Sequence, residues 1–200
     1  MGETRAEALA DLGKLEDLTR AVPARGPAPV ETWNPPYCGD IGLRIRRDGT
    51  WLYRDSAIAR PALVKLFASV LRKEADGRTY LVTPAEKVDV AVEDAHFIAV
   101  GMEVRGEGKS QQLVFRTNVE DEIACGPAHP LRFVEAQPGG GFKPYINVRG
   151  RLEALIARAL VHDLVALAEE PHNGGPAPGV WSGGAFFPFT ADTAADSSAP

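Results

Sequence analysis

Two cysteines in 200 residues, Cys38 and Cys125, are too few for a disulfide framework and leave the cytoplasm as the expected compartment. No apolar run approaches the ~18 residues that cross a bilayer, which excludes an integral membrane protein built on helices. The opening Met1-Gly2-Glu3-Thr4-Arg5-Ala6-Glu7 is charged where a signal peptide is apolar, and Ala6 stands where a myristoylation signal wants Ser or Thr. An excess of positive charge is also missing. The net charge of −5 and pI near 5.4 argue against a general nucleic-acid binder. Histidines 96, 129, 162 and 172 form no metal-spaced set and the cysteines no CxxC pair, so neither metal nor cofactor is expected. Gly139-Gly140-Gly141-Phe142-Lys143 lacks the Gly-Lys-Ser/Thr ending of a phosphate loop, and Val180-Trp181-Ser182-Gly183-Gly184 misses the Gly-x-Ser-x-Gly elbow. No catalytic residue is assigned.

What is present is a mixed α and β pattern with enough apolar residues, 44%, for a core. Leu9, Leu12, Leu15 and Leu18 predict an amphipathic N-terminal helix, followed by a Pro-rich linker over Ala21 to Val30. Leu43 and Ile45 alternate with arginines, Asp48-Gly49 turns the chain, and Trp51-Leu52-Tyr53 returns as a hairpin. Pro61 opens a helix carrying Leu63, Leu66, Phe67, Val70 and Leu71, expected to end near Glu74. Ala75-Asp76-Gly77 then serves as the expected domain boundary. Strands are predicted at 79–83, 88–92, 96–105, 110–118, 121–124, 131–135 and 144–148, and a closing helix at 149–169. The expected organisation is therefore α+β. It comprises a helix and linker (1–32), an N-terminal α+β domain (33–77), a pleckstrin-homology-like antiparallel sandwich capped by a helix (78–170), and a Gly/Pro-rich tail (171–200). Ala185 to Phe189 is too apolar for a free tail and is expected to dock.

An internal echo adds to this. Cys38-Gly39 and Leu43-Arg44 recur in order as Cys125-Gly126 and Leu131-Arg132, and Arg60 with Leu63, Leu66 and Phe67 as Arg149 with Leu152, Leu155 and Ile156. The expectation is a repeated strand–turn–strand–helix motif that sets Arg44 and Arg132 on equivalent strands and Arg60 and Arg149 at equivalent helix starts. A helix start offers unsatisfied N–H groups, and arginine grips phosphate with a planar fork, so these four point to an anionic ligand. His129, beside the repeated Leu131-Arg132, joins them, with Lys87 and Asn118 as polar contacts at strand ends. Other groups read as structural. His96 reads as a core or edge histidine, Cys38 as a buried thiol, and Trp33 as a core cap. Asp89 and Glu93 read as a solvated strand face.

Trp33-Asn34-Pro35-Pro36-Tyr37-Cys38-Gly39-Asp40-Ile41-Gly42-Leu43-Arg44-Ile45 resembles the entry motif of the bacterial domain-of-unknown-function 1285 family. Thr83 to Val88, Val92 to Phe97 and His129 to Arg132 resemble its later motifs. The resemblance covers about Trp33 to Glu170. It implies a two-domain fold with a repeated motif, a pleckstrin-homology-like C-terminal part, a ligand site at the domain interface suited to a nucleotide, and a role in signalling. Three readings follow. The first is a non-enzymatic cytoplasmic sensor or adaptor binding an anionic, nucleotide-like small molecule. The second is a protein-interaction module using a sandwich edge or the Phe186-Phe187-Pro188-Phe189 segment. The third is an enzyme using Cys38 or His129.

Overall fold

The alternation around Asp48-Gly49 gives the hairpin it predicts. In the computed structural model, which describes residues 28–136, 141–170 and 177–190, β1 (Tyr37–Ile45) pairs antiparallel with β2 (Trp51–Tyr53). Leu43 faces Tyr53 and Ile45 faces Trp51, all four buried, and Gly49 takes the left-handed φ of 81° that the turn requires. The predicted Leu9–Leu18 helix, the linker as far as residue 27, Gly139-Gly140, residues 171–176 and the tail from 191 lie outside the described residues.

A two-residue strand β3 (Ser56–Ala57) completes the first meander, and helix α1 (Pro61–Ser69) follows with proline in its first turn. Leu63, Phe67 and Ala68 form its buried side, and the Phe67 ring lies 6.0 Å from that of Trp51. The helix stops five residues short of the expected Glu74. Val70 caps it, and Leu71, which fits the helical spacing, begins strand β4 (Leu71–Lys73). Ala75-Asp76-Gly77, expected to separate two domains, is the turn from β4 to β5 (Thr79–Val82), its Asp76 carboxylate accepting the Arg78 N–H. Strand β6 (Lys87–Val92) then pairs antiparallel with β5 and parallel with β1. One sheet of order β3-β2-β1-β6-β5-β4 results, and the chain divides into compact units at Glu93/Asp94.

The C-terminal unit holds β7 (Phe97–Arg105), β8 (Gln112–Thr117), β9 (Glu122–Ala124), β10 (Leu131–Glu135), β11 (Phe142–Arg149) and β12 (Leu152–Ile156). Their order is β10-β11-β12-β7-β8-β9, with β12 parallel to β7. Each unit is thus two three-stranded meanders joined by a parallel pairing of the first and last strands. The wholly antiparallel arrangement expected of the second half fails at this one pairing. The helix expected over 149–169 is a strand followed by the shorter helix α2 (Arg158–Ala166). Leu152, Ala154 and Ile156 also satisfy a period of two, and they are the buried residues of β12. Gly150, at φ 50°, makes the turn between β11 and β12.

A hairpin of β13 (Gly179–Ser182) and β14 (Ala185–Pro188) closes the unit, so the apolar segment of the expected tail does dock. Phe187 is buried, and the Phe189 ring lies 5.1 Å from Phe133 and 5.5 Å from Phe142. Ser182, fully buried, donates to the Cys125 carbonyl and accepts the Leu113 N–H, which pins the hairpin to β8 and the end of β9.

The repeat is a property of the topology, but its register differs from the echo. Arg149 closes strand β11 and is not at a helix start, so it has no equivalence with Arg60, the N-cap of α1. Arg44 lies on a central strand and Arg132 on an edge strand, which removes their equivalence too. Leu131-Arg132 on β10 corresponds by topology to Leu71-Arg72 on β4, and Arg72 faces Tyr80 across its pair as Arg132 faces Tyr145.

Candidate functional site

Six of the seven residues expected to grip an anion contact carboxylates or backbone of their own units. Arg132 makes a two-pronged pair with Glu153 at 2.8 and 2.7 Å, its guanidinium 4.8 Å from the Tyr145 ring. Arg149 reaches Asp121 at 3.5 Å and lies over Phe97; burial pulls its pKa down, and Asp121 works against that. Lys87 is bonded to both oxygens of Glu74 at 3.1 and 3.2 Å, and Arg44 lies 3.7 Å from Asp55. Asn118 accepts the Ile98 N–H at 3.0 Å, and the half-buried His129 has Nδ1 3.2 Å from the Asn147 carbonyl. Arg60 is exposed at the start of α1. Arg44, Arg60 and Lys87 belong to the N-terminal unit, and Asn118, His129, Arg132 and Arg149 to the C-terminal one. The cleft described below is lined by none of the seven.

Elsewhere the expectations divide. His96 is buried, Nδ1 accepting the Glu153 N–H at 3.2 Å, which is the structural role expected of it. Cys38 is exposed, correcting its assignment to the core, and its thiol points at the Pro36 carbonyl at 3.6 Å. Cys125 is the buried one, and burial pushes its thiol up to about 11. Asp89 is not on a solvated face: it accepts from the Tyr37 hydroxyl and from Arg78. Among the described residues no three His, Cys, Asp or Glu side chains could hold a metal ion.

The cleft that the N-terminal unit does form arises from an irregularity in β1. Tyr37 pairs with Lys87, Asp40 with Asp89 and Leu43 with Val90, so the stretch from Tyr37 to Leu43 opposes only Lys87 to Val90. The surplus is a bulge, made possible by Gly39 and Gly42 at φ 88° and 85°, and held by Asp40, whose Oδ1 accepts the Gly42 N–H at 2.7 Å. Beside it opens a cleft of about 340 Å³, lined by Asp40, by Gly77, Arg78 and Thr79 of the β4–β5 connection, and by Asp89 to Val92 of β6.

Charge in this cleft is ordered by aromatic rings. Arg78 lies 5.3 Å from the Tyr80 ring and 5.7 Å from that of Tyr37, which meets Tyr80 edge-on. One guanidinium nitrogen, Nη2, serves both the Tyr37 hydroxyl and Asp89. These two partners hold the Arg78 pKa above its ordinary value, the Tyr37 hydrogen bond first. Nε and Nη1 of Arg78 and Oδ2 of Asp40 have no hydrogen-bond partner among the described residues. The cleft therefore has donors and one carboxylate oxygen still available to a ligand. Sequence reasoning passed over Arg78 and Asp40. The signal for the bulge was Gly39-Asp40-Ile41-Gly42, two glycines flanking an Asx residue inside a strand pattern.

Two six-stranded sheets of shared topology, with one α-helix each among the described residues, define a two-unit α+β protein that is mostly sheet. No helix among the described residues is long and apolar enough to cross a membrane. The chain belongs to the DUF1285 family. The profile described as "Domain of unknown function (DUF1285), N-terminal domain" matches residues 28–95, and that described as "Protein of unknown function (DUF1285), C-terminal domain" matches 96–189. A crystal structure of a DUF1285 family protein from Silicibacter pomeroyi DSS-3 is similar over 89% of this chain and 95% of that one, with 47% identity and a TM-score of 0.80. One from Shewanella baltica OS155 is 26% identical over 62% of this chain and 91% of that one, with a TM-score of 0.49. No functionally curated protein matches the chain.

Proposed function

We propose that this protein is a non-enzymatic cytoplasmic sensor or adaptor, and that its small-molecule site is the cleft beside the β1 bulge. A single observation carries this. Arg132, Lys87 and Arg149 are committed to Glu153, Glu74 and Asp121, whereas Asp40 and Arg78 present unused polar atoms to one cleft. Ligand sites combine a partly apolar lining with a few placed polar groups, and here Val90, Ala91 and Val92 supply the former. In this reading the C-terminal unit, as a pleckstrin-homology-like module, passes the bound state to a protein partner in a signalling role.

The Phe186–Phe189 segment supports the recruitment reading less well, because Phe187 and Phe189 are packed on their own unit. The test is a thermal-shift screen of small polar metabolites, with the site then mapped by amide perturbation. A ligand at a hundred times its dissociation constant stabilises by about 2.7 kcal/mol. Hits should perturb Gly77 and Ala91, weaken in Asp40→Asn, and persist in Arg132→Ala. Binding that needs Arg132 and Arg149 but ignores Asp40 and Arg78 overturns the proposal.

A further inference from the structure

The charge of the cleft selects among ligands. Its lining carries two carboxylates, Asp40 and Asp89, and one guanidinium, Arg78. Asp89 is neutralised by Arg78 and bound by the Tyr37 hydroxyl. Asp40 is left with one oxygen on the Gly42 N–H and the other facing no cation among the described residues. A phosphate ester would bring two negative charges to a site whose one cation already has a counterion and whose remaining carboxylate repels it. A ligand with a cationic head matches Asp40, and a ligand with a carboxylate matches Nη1 of Arg78, which gives one charge-assisted bond because both two-pronged edges of the guanidinium include the Nη2 that Asp89 and Tyr37 hold. The volume of about 340 Å³ lies at the small end of ligand pockets, which suits a compact ligand.

We infer that the cleft binds a small zwitterion bearing both an ammonium and a carboxylate group, the chemistry of a free α-amino acid. The ammonium sits on Asp40 and the carboxylate on Arg78. This rests on the reading of the cleft as the ligand site. It reverses the anionic selectivity that the arginines of the sequence suggest.

The experiment is an amide-resolved NMR titration of the full chain with a panel of L-amino acids, and in parallel with ethylamine, acetate and inorganic phosphate. The expected result is saturable movement of the Asp40, Gly77 and Ala91 amides with at least one amino acid. Ethylamine and acetate should each bind at least about tenfold more weakly, since each lacks one charge-assisted contact. Asp40→Asn keeps the acceptor for Gly42 while removing the charge, and should lower the affinity by about tenfold or more, as should Arg78→Gln. If phosphate or acetate moves these amides and amino acids do not, the inference is wrong while the cleft stands as the site. If none of the probes moves them, or amino acids bind away from them, both are wrong.

Discussion

The two units build the same sheet and finish its central seam differently. In the C-terminal unit the parallel pairing that joins the meanders is regular: Ala154, Leu155 and Ile156 face Phe97, Ile98 and Ala99 in step. In the N-terminal unit the corresponding pairing, β1 with β6, slips twice, and the slippage opens the cleft. The charged residues follow the same division. Around Tyr145 the phenol donates to Asp94, which also takes Lys143, while Arg132 closes on Glu153. Burial and then the Asp94 bond push the Tyr145 phenol well above its ordinary range, so it stays protonated as a fixed donor. Around Tyr80 the network is left open on one side, at Arg78 and Asp40. The shared topology thus closes one seam in register and leaves the other slipped beside a cleft.

The largest contrast is between the topologically matched arginines. Arg72, with its side chain 9% exposed, donates to the Val30 and Trp33 carbonyls at 2.6 and 2.7 Å and to Glu74 at 2.5 Å. Removing it leaves two carbonyls and a carboxylate short of a donor in the interior. Arg72→Ala should destabilise the N-terminal unit by about 3–5 kcal/mol. The Arg132 side chain is 38% exposed and its Glu153 partner 23%, within reach of solvent, so Arg132→Ala should reduce stability by about 1 kcal/mol or less. Urea unfolding followed by amide signals from each unit separately measures both. Equal losses would end the distinction drawn here between a buried strut and a surface pair.

Next in size is the hairpin that only the C-terminal unit carries among the described residues. A Cβ at Gly179 would lie 2.7 Å from the Phe186 ring and from the Pro188 backbone, and closer still to the Phe187 carbonyl. Gly179→Ala should reduce stability by about 1–3 kcal/mol through overpacking. Its signature is faster exchange of the Leu113 N–H, whose acceptor is the Ser182 hydroxyl on that hairpin. Unchanged exchange at Leu113 would show that the hairpin does not depend on a bare backbone at residue 179.

These contrasts follow how far the fold could be read from the chain. Local periodicity delivered β1 with β2, the proline-led start of α1, and most strands from 79 to 148, because each rests on neighbours in sequence. The boundary was misplaced because Ala75-Asp76-Gly77 looks the same whether it ends a domain or turns a hairpin. Only the pairing of β6 back onto β1 decides, and that pairing spans some forty residues of intervening chain. Leu152 to Ile156 fitted both a helix and a strand, and Gly150 was the overlooked punctuation. The arginines were legible as residues and illegible as partners: no spacing announces that Arg132 meets Glu153 or that Lys87 meets Glu74. The cleft lay behind the same barrier, since a bulge is defined against the strand it slips past.

A smaller effect distinguishes the units by pH. Burial opposes the charged form of Glu74, but hydrogen bonds from Arg72 and Lys87 outweigh it and hold its carboxyl below the ordinary value. The folded state therefore takes up this proton at lower pH than the unfolded chain does. The stability it contributes is present in full above the unfolded carboxylate pKa and is lost as pH falls through the folded one. Between neutral pH and about pH 3, the wild-type N-terminal unit should lose more stability than Glu74→Gln does. Parallel curves for the two proteins would mean that Glu74 titrates as it does in the unfolded chain.

The gentlest probe is the pair of thiols, one in each unit. Cys38 is exposed on the edge of the bulge, so a small alkylating reagent reaches it without unfolding. Cys125 has no exposed surface, and its raised pKa leaves almost no thiolate at mildly alkaline pH, so it reacts only when the C-terminal unit opens. Mass spectrometry after brief treatment with iodoacetamide should show a single adduct on Cys38, with Cys125 joining in urea. The same readout then reports on the open seam. Cys38 is two residues from Asp40, and an amino acid seated on Asp40 and Arg78 should slow its alkylation while leaving Cys125 in the unfolded chain unaffected. Equal rates at Cys38 with and without a ligand that saturates the cleft amides would show that the bulge keeps its shape and access when the cleft is filled.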